Sequence, residues 1–409
     1  YDEVRDQLAR FAELEKSPEH VHTYRITPLS LWNAAASGML AQGVVATLAE
    51  FGKYELPENV RRDIVDQMAR YGRLKLVDDA GTLYLAADDE ALIAEICHHK
   101  AVRAMLAGSP ERFRVEVAPG MRGAVKQALL KIGYPPEDLA GYVPGERLAI
   151  GLRAAALASA APFALRAYQR EAAELFHAEG AAHGGSGVIV LPCGAGKTVV
   201  GLGVMAAVGA STLIIAPGTV AARQWIEEIV DKTDVPRESV GEYTGDTKAL
   251  RPVTVTTYQT LTYRRAGAYP HLALFDEREW GLIVYDEVHL LPAPVFRATA
   301  DIQARRRLGL TATLVREDGR ADDVFALIGP KKYDVPWKDL ERQGVIATAD
   351  CTEVRIDLPE ALRMDYAVAD ERLKYAVAAQ SPAKLDVLAD LLAKHADDSV
   401  LIIGQYVEQ

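Results

Sequence analysis

Cysteine is scarce in this chain: three in 409 residues, at positions 97, 193 and 351, with no Cys-x-x-Cys pair. That spacing supports neither a disulfide framework nor a structural zinc site. Cys97-His98-His99 has metal donors but no second ligand cluster, so it reads as a solvated helix end. Long apolar runs are also missing. None reaches the ~18 residues of a membrane span, and the opening YDEVRDQLAR has neither the basic start nor the apolar stretch of a signal peptide. The expected location is therefore cytoplasmic, with no membrane partner. Basic charge is in deficit as well, with 46 Lys and Arg against 57 Asp and Glu, a net of −11. A surface that repels phosphate as a whole must grip any polyanion through local donors.

What is present has ordinary globular statistics, 49% hydrophobic and 25% charged, at a length that favours two or three domains. Residues 1–105 alternate amphipathic helical stretches with a strand-like LKLVDDAGTLYLA, whose centre is a turn, and are expected to form a mostly helical domain. Residues 1–100 hold 17 acids and 11 bases, a poor face for a polyanion. Residues 106–153 change to strand, helix and a Pro-Gly-rich tail, the size of a small α+β module, with 7 bases against 5 acids. The Ala-rich residues 154–165 suit a linker. From Arg166 the apolar runs GVIVLP, STLIIAP, PVTVTTY, GLIVYDEVH and RRLGLTAT alternate with helical patterns. Continuous rather than alternating apolar strands, separated by helices, predict an α/β fold with a doubly wound parallel sheet over 166–350. At 351–409 a helix, SPAKLDVLADLLAKHADD, and a strand, SVLIIGQYVEQ, begin another such unit.

Two motifs carry chemistry. Gly194-Ala195-Gly196-Lys197-Thr198 lies between a predicted strand and a predicted helix, the context of a loop that cradles nucleotide phosphates with backbone N–H groups and a helix N-terminus. Lys197 would meet the β- and γ-phosphates, and Thr198 would give a hydroxyl to Mg²⁺. The first glycine of the full pattern is replaced by Leu191. Ninety residues on, an apolar strand releases Asp286 and Glu287 at its C-terminal end, where open α/β sheets bind ligands. Asp286 can hold the metal; Glu287 can orient and deprotonate water.

From Leu165 onward the chain resembles superfamily 2 helicases. In Leu165-Arg166-Ala167-Tyr168-Gln169, Arg166 and Gln169 match the segment whose glutamine reads the adenine edge, although a simple helix start has the same look. Ala216-Pro217-Gly218-Thr219 with Gln224-Trp225, and Thr256-Thr257-Tyr258-Gln259, match positions that lay hydroxyls and amides along a sugar-phosphate backbone. Leu310-Thr311-Ala312-Thr313 resembles the motif linking hydrolysis to strand movement. The form Asp286-Glu287-Val288-His289, followed by Arg316-Glu317-Asp318, Leu327-Ile328-Gly329-Pro330-Lys331-Lys332-Tyr333 and Trp337, narrows the resemblance to XPB-type repair helicases. That resemblance implies a RecA-like motor lobe with ATP and Mg²⁺, 3′ to 5′ movement on double- and single-stranded DNA in excision repair, and unwinding by Arg316, Glu317 and Asp318. It implies a damage-recognition role for 106–153, with Arg112, Arg114, Arg122, Lys126 and Lys131 as candidate phosphate contacts, and a thumb-like element near 358–382.

The family also implies a second lobe supplying arginine fingers. With the sequence ending at Gln409, the expectation is of a segment truncated inside that lobe, binding nucleotide but turning it over weakly. An RNA-directed motor and a nucleotide-switched scaffold for a nuclease or transcription partner are the alternatives at this stage.

Overall fold

The computed structural model describes residues 2–16, 21–303, 305–313, 321–335, 337–348 and 352–404. These divide into two units, 1–347 and 348–409, three residues from the expected seam at 350/351.

The larger unit is built on seven parallel strands in the order Val240–Tyr243, Val253–Thr257, Thr212–Ala216, Leu282–Asp286, Arg306–Thr311, Ser186–Val190 and Lys331–Asp334. All five apolar runs form strands, and the doubly wound parallel sheet is as expected. Side chains alternate between two buried faces, as strand pleating requires. Leu282 and Val284 join the core under helices Ala167–His177, Lys197–Val208 and Thr219–Lys232, whereas Ile283 and Tyr285 pack with Phe275, Trp280 and Phe296 on the other side. Two layers of helix cover the sheet, so no central strand face meets water. Among the described residues no single helix is long and apolar enough to cross a membrane.

The N-terminal part contains helices Pro28–Ala36, Ala41–Phe51 and Glu58–Arg70 around Phe11, Leu31, Val44 and Ile64. Thr27 caps the first, its hydroxyl accepting the Ser30 N–H at 3.0 Å. A five-stranded sheet follows, in the order Leu106–Ala107, Arg114–Val117, Thr82–Ala87, Leu74–Asp79, Glu137–Asp138. This sheet corrects the expected boundary at 105/106. Strands from both sides of that point pair, and Leu76, Ile93, Val115 and Leu129 share one core. A module as short as 106–153 has too little apolar surface to bury alone, and it completes the preceding sheet instead. The expected linker is also structured: Ala156 and Phe163 N–H groups bond to Ala161 and Ala154 carbonyls, and Asp231 accepts the Ala158 N–H at 2.7 Å. His98 and His99 end one helix and cap the next, with the His99 ring accepting the Ala101 N–H at 3.2 Å.

The N-terminal part is joined to the parallel sheet through a close seam. Trp32 and Leu130 enter the sheet's own core, and Asn33 Oδ1 accepts the Lys331 N–H at 2.8 Å. Helix Arg122–Lys131 approaches helix Ala293–Asp301 so closely that a Cβ on Gly123 would lie 2.4 Å from the Ala300 carbonyl oxygen. Gly123→Ala should therefore cost about 1–3 kcal/mol of stability by overpacking, read from the urea midpoint; an unchanged midpoint would show that the seam gives way freely.

The smaller unit has helices Glu360–Val368, Glu371–Ala379 and Ala383–Lys394, the first two falling where the thumb-like element was expected. The strand expected at 399–409 does not form over the described residues 399–404, because strand backbone needs a neighbour to satisfy its N–H and C=O groups. Residues 405–409 lie outside the described set.

Candidate phosphate-binding site

The strand Ser186–Val190 ends in a loop that only glycine can shape cheaply: Gly194 and Gly196 have φ of +81° and +77°. Helix Lys197–Val208 starts immediately, with no side-chain cap, so its first N–H groups point into the loop without intrahelical partners. Ala195 is buried, and its carbonyl accepts Tyr168 Oη–H at 2.7 Å and Gln169 Nε2–H at 3.1 Å. The loop is thus held from beneath by the helix that begins at Ala167.

Two strands away, Leu282–Asp286 delivers its acids to the same edge. Glu287 has φ 47° and ψ 55°, left-handed geometry that costs about 1–3 kcal/mol for a non-glycine residue and collects at functional sites. This bend brings Glu287 Oε1 to 3.1 Å from Lys197 Nζ. Its other oxygen, Oε2, is buried without a hydrogen bond among the described residues, although His289 Nδ1 is 3.4 Å away. Asp286 is fixed at both oxygens, Oδ2 accepting Trp225 Nε1–H at 2.9 Å and Oδ1 accepting the Glu287 N–H at 3.0 Å. Burial pushes the Asp286 carboxyl above its ordinary range, with the Trp225 bond and Lys197 opposing and Glu287 adding to the rise. Thr198, half-buried, starts the helix beside Lys197. An open glycine loop, an orphaned carboxylate oxygen and neighbouring hard oxygen donors fit a phosphate chain with a divalent cation: Lys197 and the loop N–H groups for phosphate, Thr198 and Asp286 for the metal.

Other expected positions separate into two groups. His289 Nδ1 lies 2.8 Å from Thr311 Oγ1, which in turn donates to the Thr313 carbonyl at 2.6 Å, linking the acid strand to the next one. Thr219 opens helix Thr219–Lys232 and is half-buried, and Thr313 is exposed. Thr256, Thr257 and Thr311, by contrast, are buried, and the Thr257 hydroxyl caps helix Tyr258–Leu261 by accepting the Thr260 N–H at 3.1 Å. The expectation that these hydroxyls lie along a backbone groove is corrected for Thr257 and Thr311, whose hydroxyls bond within the fold, whereas the buried Thr256 hydroxyl has no hydrogen-bond partner among the described residues. Gln169 is corrected too. It is 4% exposed, its Oε1 takes the Arg166 N–H at 3.0 Å, and its Nε2 is spent on Ala195, so it braces the loop and does not present an edge to a base. Arg166 itself is exposed.

Among the expected phosphate contacts of 106–153, Arg122 and Lys126 are consumed by Asp138 at 2.7 and 3.0 Å, Arg114 pairs with Asp79 at 2.8 Å, and Arg112 pairs with Glu90 at 3.2 Å. Lys131 is exposed. Arg316, Glu317 and Asp318 lie outside the described residues. Tyr168 and Trp225 stand within motifs read from the sequence but have no role of their own there, since local context does not show that a tyrosine or tryptophan will point back at a loop or an acid.

Residues 162–316 match the family model described as "Type III restriction enzyme, res subunit", and residues 1–109 match "Helicase conserved C-terminal domain". The chain is 54% identical to "DNA 3'-5' helicase XPB" of Kineococcus radiotolerans, over 99% of this chain and 71% of that protein. It is 53% identical to the protein of the same name in Mycobacterium tuberculosis, over 99% of this chain and 72% of that protein. A "General transcription and DNA repair factor IIH helicase/translocase subunit XPB" from Antonospora locustae is 31% identical over 96% of this chain and 58% of that protein. With a convergent phosphate loop and acid pair, and relatives this similar along almost its whole length, the chain belongs to the XPB family of helicases.

Proposed function

We propose that this chain carries the ATP site of a motor that moves 3′ to 5′ on DNA in the service of repair, with Glu287 as the base that activates water. The observation that carries this reading is the 3.1 Å approach of Lys197 to Glu287, across the edge shared by the phosphate loop and the acid strand. Bound Mg²⁺, held by Thr198 and Asp286, would neutralise phosphate charge. The ion pair also orders events. While Lys197 sits on Glu287 the carboxylate is engaged; a γ-phosphate that draws the ammonium away leaves that carboxylate free to accept a proton from water.

For the track, the uncapped start of helix Thr219–Lys232 offers backbone N–H groups to a phosphate at low cost, and Thr313 adds an exposed hydroxyl at the end of the strand tied to His289. Relatives named as DNA helicases favour DNA over RNA as the track. Competition between matched DNA and RNA duplexes checks this, and tighter RNA binding would reverse it.

The direct test of the nucleotide site is Lys197→Ala. Loss of a charge-assisted bond to phosphate should weaken binding of a fluorescent ATP analogue about 10- to 100-fold. Unchanged affinity would mean that the loop holds something else.

A further inference from the structure

We propose that Trp225 is a positioning residue for Asp286, and that through it helix Thr219–Lys232 forms part of the apparatus that orients the metal-binding carboxylate. The inference rests on the nucleotide-and-magnesium reading above and adds a residue to it.

Tryptophan N–H groups need an acceptor when buried, and elsewhere in this chain they find backbone: Trp280 donates to the Leu274 carbonyl at 2.8 Å and Trp32 to the Gln67 carbonyl at 3.1 Å. Trp225, 1% exposed, donates instead to Asp286 Oδ2 at 2.9 Å. The other carboxylate oxygen has its bond from the adjacent Glu287 N–H. Each oxygen keeps one further lone-pair direction for a cation, and the plane of the carboxylate is set by two donors on opposite oxygens. With the indole removed, only the neighbouring backbone bond remains, and rotation about the broad terminal torsion of aspartate is opposed by little.

The ring is also wedged mechanically. Gly201, one turn beyond Lys197 on the phosphate-loop helix, has no room for a side chain: a Cβ there would be 2.4 Å from Trp225 Cη2 and 3.5 Å from Leu310 Cδ1. Alanine would favour a helix over glycine by about 1 kcal/mol, so glycine at this site answers to space and not to propensity. Trp225 therefore touches both the helix that carries Lys197 and the carboxylate of Asp286. It stands on the helix whose first residue, Thr219, faces the proposed track. A shift of that helix reaches the carboxylate through a rigid ring with two torsions.

The experiment measures affinity for a fluorescent ADP analogue in EDTA and in saturating Mg²⁺, for wild type, Trp225→Phe and Gly201→Ala. In wild type, Mg²⁺ should tighten binding. Trp225→Phe should keep the EDTA affinity and lose about tenfold of the Mg²⁺-dependent gain, the size of one buried hydrogen bond to a charged group. Gly201→Ala, which displaces the ring and leaves its N–H intact, should lose part of the same gain. Full retention of the gain in a folded Trp225→Phe protein, or an equal loss with and without Mg²⁺, would overturn the proposal and leave Trp225 as core filling. Should Trp225→Phe fail to fold, Gly201→Ala decides, and a wild-type Mg²⁺ gain in that variant overturns it. A wild-type protein with no Mg²⁺ gain at all would remove the underlying reading, a result distinct from these.

Discussion

Glu287→Gln should bind ATP at least as tightly as wild type and hydrolyse it about 10²- to 10⁴-fold more slowly, the usual contribution of a general base. The amide keeps the shape of the side chain and the left-handed backbone that aims it, so the loop 3.1 Å away has no reason to move. What disappears is negative charge. Lys197 loses its resting partner and becomes more available to phosphate, which is why affinity should hold or rise while turnover falls. Steady-state turnover with DNA, set beside nucleotide titration, separates the two effects. Wild-type turnover in this variant would place the base elsewhere.

Asp138→Ala should lower unfolding stability by about 3–5 kcal/mol, the cost of leaving buried charge without its counter-ion. Among the described residues Asp138 is the single acid beside three buried or nearly buried cations. It pairs with Arg122 at 2.7 Å and Lys126 at 3.0 Å, while Arg307, fully buried, stands over the same Tyr142 ring as Arg122. Burial by itself would raise the Asp138 carboxyl; Lys126 and Arg122 overcome that and hold it well below the usual carboxylate range. A carboxyl lowered on folding stabilises the protein above its unfolded pKa, near 3.9, and that stability fades as pH falls toward the folded value. The variant's stability should thus converge on wild type in strong acid. Lys126 is also pushed down, below the normal lysine range, chiefly by its own desolvation. Lys126→Met should cost less than Asp138→Ala, because Arg122 still pairs with the acid. Urea unfolding at neutral and acid pH checks both, and equal losses for the two variants would show that the cluster does not depend on its one acid.

That cluster marks where reading the sequence stopped. Arg122 and Lys126 look like a basic helix face for phosphate, and only the fold shows them turned inward to Asp138, with Lys126 reaching Gln303 at 2.8 Å, 177 residues away. The two strands of the parallel sheet that were missed, VGEY at 240–243 and KKYD at 331–334, are its outer strands. Edge strands carry charge and polar residues that blunt further pairing, so they lack the apolar signature of the inner five. Thr257 and Thr311 were misread for a different reason: a hydroxyl at a strand end looks alike whether it faces a ligand or bonds within the fold.

The phosphate loop, the acid pair, the parallel sheet and the family were legible from residue order alone, because each depends on neighbours within about ten positions: glycines that permit positive φ, a lysine opening a helix, an apolar strand that must end before its acids. Tertiary structure alone decided that one sheet runs across position 105/106, that Gln169 braces the loop, and that Trp225 answers to Asp286. These follow from contacts between residues tens of positions apart, and packing in three dimensions, which carries no local periodicity, selects them.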